Sequence, residues 1–236
     1  MTEVLVQVIT DTVPPWLYLD APGVTNQTPL TVTGGAEAKT AVTVNDQPVA
    51  VDTQGIFTAT VALSEGDNLI TAVATDLANN STTVTRTVNL DTIPPALAVT
   101  APREGLFTNS DVVTVTGSAE VTASLSVSGT LSTVQPDGSF TAWTLLKRGR
   151  SAIPVVSTDA ASNSTTITRT VGYSPLFGDF DCDCEITVLD IMQVASRWEA
   201  QPGDPNYDPA YDLDNDGRIT IADIMHVAAH WGETCG

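Results

Sequence analysis

The sequence predicts a multidomain chain in which two all-β sandwiches precede a small α-helical module at the C-terminus. Three observations predict this. Residues from about 14 to 172 read as one unit written twice at an offset of 83. Both copies alternate Thr with Val in short runs, broken by Asn, Asp and Gly, as half-buried strands do. The last 60 or so residues hold a second duplication, in which aspartates recur at fixed spacing 33 residues apart.

At the N-terminus, Val8-Ile9-Thr10-Asp11-Thr12-Val13-Pro14-Pro15 matches Val88-Asn89-Leu90-Asp91-Thr92-Ile93-Pro94-Pro95 at an offset of 80. Residues 1–13 are therefore expected to be the last strand of a preceding repeat, with a signal sequence and a catalytic domain expected upstream. Met1-Thr2-Glu3 followed by Val4-Leu5-Val6-Gln7-Val8 is too short and polar for a signal peptide or a membrane span.

The two sandwiches are predicted at 14–92 and 93–173. Thr25-Asn26, Thr31-Val32-Thr33-Gly34 and Ala36-Glu37 recur as Thr108-Asn109, Thr114-Val115-Thr116-Gly117 and Ala119-Glu120. Gly55-Ile56-Phe57-Thr58-Ala59 recurs as Gly138-Ser139-Phe140-Thr141-Ala142. Asn45-Asp46, Asp52–Gly55, Glu65-Gly66 and Pro136-Asp137-Gly138 mark turns between strands. About seven short strands in ~80 residues suit a sandwich of the immunoglobulin type, and the region holds no Cys for an inter-sheet disulfide. The pattern resembles bacterial Ig-like repeats of the glucodextranase domain B kind. Pro14-Pro15 and Pro94-Pro95 predict stiff joins, so the plain reading is a spacer. The alternative is a surface adhesin or glycan-binding protein whose sandwiches bind a carbohydrate ligand through Trp16, Tyr18 or Trp143, although scattered aromatics are commoner as core or edge residues. Asp76 and Asp159 read as turn formers, and Asn26, Asn79, Asn80 and Asn163 as turn residues that happen to open glycosylation sequons.

The C-terminal module is predicted at 174–236. Asp179, Asp181, Asp183 and Asp190 stand at positions 1, 3, 5 and 12 of a loop, and Asp212, Asp214, Asp216 and Asp223 repeat the spacing. Calcium takes six to eight oxygen ligands, and a 12-residue loop acidic at these positions supplies them. Glu185 and Arg218 at position 7 offer a backbone carbonyl, and Thr187 and Thr220 at position 9 bind directly or through water. Gly217 at position 6 suits the sharp turn, whereas Cys184 in the first loop must adopt the left-handed region at a cost of order 1 kcal/mol. After each loop a helix is expected, from Asp190 to Trp198 and from Asp223 to Trp231, with Ile191, Trp198, Ile224 and Trp231 read as core.

No helix can precede the first loop, where Tyr173-Ser174-Pro175-Leu176-Phe177-Gly178 stands, and Asp rather than Glu closes both loops. Loop followed by helix, twice, with openings Gly178-Asp179-Phe180-Asp181 and Tyr211-Asp212-Leu213-Asp214-Asn215-Asp216-Gly217, resembles a dockerin over residues 178–235. The resemblance implies two calcium ions and docking onto a cohesin domain of another protein. It also implies a contact surface at Val188, Leu189, Ala195 and Ser196 with Ile221, Ala222, Ala228 and Ala229. These are mostly apolar, so a hydrophobic patch is expected, and the internal symmetry suggests that either helix docks after a half-turn. All three cysteines lie here. Cys182 and Cys184 are too close in sequence to pair without strain. Because the two ends of a dockerin meet, the resemblance implies that Cys235 clasps the first loop through Cys182, leaving Cys184 as an odd thiol. That pairing suits an extracellular setting; the alternative is three free thiols in a reducing compartment.

Charge agrees with a metal-folded tail. Of the net −19, residues 175–236 carry −11, from 13 of the 28 acids and two of the nine basic residues. Two calcium ions would neutralise four charges and contribute directly to folding a unit this small. So acidic a chain is no partner for nucleic acid. Catalysis lacks a constellation: the only histidines are His226 and His230, four apart with no third ligand suggested. The chain is therefore expected to be the non-catalytic C-terminal region of a secreted or cell-surface protein. Its cohesin-bound tail would attach upstream cargo, such as a polysaccharide-degrading enzyme, to a scaffold.

Overall fold

The computed structural model describes residues 11–235. The strand remnant expected at 1–13 falls mainly outside that range, and residues 11–13 form no strand.

The first sandwich contains β1 (Leu17–Asp20), β2 (Val24–Thr25), β3 (Leu30–Ala36), β4 (Ala41–Val44), β5 (Gln47–Val49), β6 (Ile56–Val61), β7 (Gly66–Thr75) and β8 (Ser81–Leu90). They form a three-stranded sheet, β1-β3-β6, and a five-stranded sheet, β2-β8-β7-β4-β5. Alternation sets which side of each strand is buried: along β6, Phe57, Ala59 and Val61 are buried while Ile56, Thr58 and Thr60 are exposed. Leu19, Val32, Phe57, Ile70 and Val88 are the largest fully buried side chains of this core. The hairpin joining β4 to β5 turns on Asn45 and Asp46, both at positive φ, as a tight two-residue hairpin requires. Asp76 caps its own turn, accepting from the Ala78 and Asn80 amides at 2.8 and 2.9 Å, in keeping with a turn former.

The second sandwich repeats the plan with β9 (Leu97–Ala101), β10 (Leu106–Thr108), β11 (Val112–Ala119), β12 (Ser124–Val127), β13 (Thr130–Ser132), β14 (Ser139–Leu145), β15 (Gly149–Thr158) and β16 (Ser164–Tyr173). Its sheets are β14-β11-β9 and β10-β16-β15-β12-β13. Each sandwich thus has eight strands where seven were expected. The extra ones, β2 and β10, are two or three residues long and pair in parallel with the last strand of their sandwich. Such a short parallel pairing leaves no alternating pattern to read. Gly117 is required by close approach: a Cβ there would strike the Ala98 carbonyl oxygen and come within 2.8 Å of the Phe140 ring. Gly34 meets Tyr18 and Phe57 in the same way.

The C-terminal module contains α1 (Val188–Ala195) and α2 (Ile221–Ala228), with a single 3-10 turn at Pro209–Tyr211. It packs in one compact unit with the second sandwich. Phe180, Ile186, Val194, Tyr211, Ile219 and Val227 form its buried centre, and Phe107 of β10 packs against them. Asn109 donates to the Ser174 and Leu176 carbonyls at 2.9 and 2.6 Å, and Arg103 pairs with Asp208. Both helices end earlier than expected, with C-caps at Ser196 and Ala229. Trp198 and Trp231 consequently sit in the turns beyond and are 51% and 59% exposed, so they are not core residues. Ile191 and Ile224 do pack against the core.

Candidate metal centre

Each loop is closed by the aspartate at its twelfth position, which is also the third residue of the following helix. In the first loop Asp190 accepts from the Thr187 amide at 2.9 Å through one oxygen and from the Phe180 amide at 2.8 Å through the other. In the second, Asp223 accepts from Thr220 at 2.7 Å and Leu213 at 2.6 Å. Thr187 and Thr220 return the capping bond to the helix amides, completing two reciprocal capping boxes. One carboxylate therefore starts the helix and fastens the loop's opening to it.

The first position works the same way in both copies. Asp179 accepts from the Asp183 and Cys184 amides at 3.2 and 2.9 Å, and Asp212 from Asp216 and Gly217 at 3.1 and 2.9 Å. A hydroxyl adds to each, Ser174 to Asp179 at 2.6 Å and Tyr207 to Asp212 at 2.8 Å. Positions 4 and 6 take positive φ in both loops: Cys182 64° and Cys184 72°, Asn215 59° and Gly217 85°. The demand at position 4 has no glycine to mark it, and sequence reading missed it.

The result is two groups of converging carboxylates, Asp179, Asp181 and Asp190 in one loop and Asp212, Asp214 and Asp223 in the other. Asp179, Asp190 and Asp223 are completely buried, and Asp212 is buried as well. Among the described residues none of these six makes an ion pair with a basic side chain. Burial, then the charges of Asp190, Asp183 and Asp179, push Asp181 up to about 6. Buried anions with no cationic partner are costly, and a hard divalent cation satisfies them. The donor set fits calcium.

The remaining expected ligands lie in the loops but outside these three-carboxylate groups. Asp183 and Asp216 are exposed and accept from the Glu185 and Arg218 amides at 2.9 and 2.8 Å. Glu185 is exposed and pairs with Thr234, and the Arg218 guanidinium bonds Glu199 at 3.0 Å.

The cysteine pairing differs from the expected one. Cys184, not Cys182, is bonded to Cys235, with Cα atoms 5.1 Å apart. The end of the chain runs back beside the first loop, where the Cys235 amide donates to the Cys184 carbonyl at 3.1 Å. Cys182, at the strained fourth position, turns the other way. Its thiol is buried against Gly172 of β16, where a Cβ would lie 2.9 Å from the sulfur. Burial first, and then Asp179, push that thiol up to about 11.

Three rings and a guanidinium link these parts. Phe107 lies 5.0 Å from Phe180, Phe180 stacks on Tyr211 at 4.3 Å, and the Arg197 guanidinium covers Tyr211 at 3.7 Å. Phe180 belongs to the first loop and Tyr211 immediately precedes the second, so the stack joins both loops to the sandwich.

Outside the loops, each helix presents an apolar face. Val188, Leu189, Ala195 and Ser196 are exposed on α1, and Ile221, Ala228 and Ala229 on α2, with Ala222 half-buried. Met192 and Met225, at 59% and 64%, extend the two faces and were not singled out from sequence, though their pairing at the 33-residue offset was a signal.

The profile of the family described as glucodextranase, domain B, matches residues 15–92 and 95–174, and that of the type I dockerin domain matches 177–230. Bacillopeptidase F of Bacillus subtilis (strain 168) is 37% identical over 150 residues, covering 60% of this chain. The chain spans 10% of that relative's length. Among solved structures, fibronectin(III)-like modules of Clostridium thermocellum CbhA superpose on 68% of this chain and 96% of theirs, at 17% identity and a TM-score of 0.43. A type II cohesin–X-dockerin complex from Acetivibrio cellulolyticus covers 48% of this chain and 81% of its own, at 21% identity and a TM-score of 0.23.

Proposed function

Because the chain belongs to the glucodextranase domain B family through its two sandwiches and ends in a type I dockerin domain, we propose that it is the calcium-dependent docking region of a secreted or cell-surface protein. Type I dockerin domains bind calcium, and neither kind of module present is catalytic. No helix among the described residues is long and apolar enough to cross a membrane.

In this reading residues 14–92 and 93–173 are spacers and 174–236 is the dockerin. Two calcium ions bind, one in each loop. The first is held by Asp179, Asp181, Asp183 and Asp190 with the Glu185 carbonyl and Thr187. The second is held by Asp212, Asp214, Asp216 and Asp223 with the Arg218 carbonyl and Thr220. The ions supply the positive charge that lets two helix starts be built on buried carboxylates. The helices then present Val188, Leu189, Met192, Ala195 and Ser196, or Ile221, Ala222, Met225, Ala228 and Ala229, to a cohesin. Docking attaches an upstream cargo to a scaffold or surface. The cargo is a polysaccharide-degrading enzyme, or a peptidase if the likeness to Bacillopeptidase F extends upstream.

The observation that carries this reading is the pair of converging carboxylate groups, mostly buried and without a basic partner, each at the start of a helix with an exposed apolar face. The test is capture of the full chain on immobilised cohesins of types I and II. Binding is expected in calcium, is lost in EDTA, and is lost when Leu189→Glu and Ile221→Glu are combined. A chain that folds with calcium and binds no cohesin overturns the docking reading.

A further inference from the structure

The second sandwich carries a cleft that the docking reading does not use. It opens between β13 and β14, the edge strands of the two sheets, with a volume of ≈ 570 Å³, within the range of ordinary ligand sites. Alternation along β14 buries Phe140 and turns Thr141, Trp143 and Leu145 outward. Trp143 is 73% exposed, with Leu145 at 69% on its own strand and Leu131 at 79% across the cleft. Large side chains this exposed, lining one concavity, are a burial cost left unrelieved.

The rest of the lining is polar and uncharged. Thr130, Ser132, Thr133, Gln135 and Thr141 contribute hydroxyls and an amide, and their side chains make no hydrogen bond among the described residues. In a chain with 28 acidic residues, no Asp, Glu, Lys or Arg lines this cleft.

The first sandwich provides an internal comparison. Its equivalent cleft, of ≈ 460 Å³, is lined by Pro48, Thr60 and Ala62 where the second has Leu131, Trp143 and Leu145. The fold therefore does not require these three side chains. They are specific to the second copy, and one replaces a threonine by the largest aromatic.

An aromatic platform beside free hydroxyl and amide groups, without charge, matches a ligand with apolar C–H faces and many hydroxyls. An ionic ligand finds no counter-charge here, and a lipid chain would leave the polar lining unsatisfied. We propose that the cleft between β13 and β14 is a binding site for a neutral glycan chain, with Trp143 stacking on a sugar ring and Gln135, Thr133 and Thr141 bonding its hydroxyls. The second sandwich is then a ligand-binding module as well as a spacer.

Affinity electrophoresis tests this on the full chain with calcium, in native gels containing mixed-linkage β-glucan, arabinoxylan, galactomannan or dextran. At least one polymer is expected to retard the chain. Trp143→Ala should weaken that retardation about tenfold, as loss of a central aromatic anchor does, and Trp143→Phe should restore part of it. Unchanged thermal unfolding of both variants shows that the fold is intact, as expected for so exposed a side chain. Retardation by none of the polymers, or equal retardation of wild type and Trp143→Ala, overturns the proposal. So does a cleft that captures only extended peptides, pairing with the edge of β14.

Discussion

Calcium removal is expected to unfold the C-terminal module while leaving both sandwiches intact. Within each loop, oxygens of three aspartates lie within 4.8 Å of one another. Two full charges at that separation repel by about 3.5 kcal/mol at an effective dielectric of about 20. Three such pairs give roughly 10 kcal/mol per loop before any relief from amides or protons. A domain of about 60 residues has only about 3–9 kcal/mol of total stability. At neutral pH the metal-free module is therefore expected to open its loops. Differential scanning calorimetry of the full chain separates the parts. In millimolar calcium the module should show its own transition. In EDTA that transition should vanish, while those of the sandwiches, whose buried cores hold no such acidic groups, should move by no more than about 2 °C. Asp223→Asn sharpens the test by removing one charge and one ligand together: its module should respond less to calcium yet lose less structure in EDTA than the wild type. Identical endotherms in calcium and in EDTA would refute the electrostatic argument.

Four further outcomes follow from the same geometry. Cys184→Ser opens the clasp to Cys235, 51 residues away, and should lower the stability of the calcium-loaded module by roughly 2–4 kcal/mol in denaturant titrations; Cys182, buried with its thiol pushed up to about 11, should react with a disulfide reagent only after unfolding. Asp181, pushed up to about 6, lies above the unfolded-chain value of about 3.9, so the metal-free folded state holds its proton more tightly, and its stability falls as pH rises through about 6. Calcium must displace that proton, and calorimetric titration at pH 6 in two buffers of different ionisation enthalpy should show the release; equal heats in both would contradict it. Phe107→Ala removes the sandwich ring that meets Phe180 and should lower the module's transition by about 2–3 kcal/mol, whereas a change confined to the sandwich transition would show that the rings are not coupled.

How far the architecture can be read before any coordinates depends on whether the signal repeats. The sandwiches were legible because the 83-residue repeat shows the same strand pattern twice, each copy checking the other. The two acidic loops, each followed by a helix, were legible for the same reason, together with the fixed spacing of their aspartates. What could not be read was decided by single backbone conformations. Position 4 of the first loop takes a positive φ at Cys182 without a glycine to announce it. That turn sends one thiol toward Gly172 and leaves Cys184 to meet Cys235. One residue separates these cysteines, and no spacing rule distinguishes them. The tryptophans misled for a related reason: helical periodicity places Trp198 and Trp231 on the core side only if the helices continue, and both stop three residues earlier.

The role of Phe107 shows a further kind of illegibility, and a physical consequence. Its counterpart at the 83-residue offset is Val24 in the first sandwich, which has no module to meet. Within the repeat the substitution looks like ordinary drift between copies. Only the proximity of the C-terminal module reveals it as the outermost ring of a stack that runs through Phe180 and Tyr211 to Arg197. Phe180 lies between Asp179 and Asp181, and its amide donates to Asp190. A ring held against the sandwich therefore helps position the backbone that closes the first loop. This loop also carries Cys184 instead of glycine and the disulfide to the chain's end. The weaker backbone sequence is thus supported from two sides, by a ring of its own in the stack and by a clasp, while the second loop, with Gly217 in place, has no disulfide and meets the stack only through Tyr211 just before it. On this argument the two loops reach the same closed backbone by different physical means, the second through conformational freedom at position 6 and the first through external support.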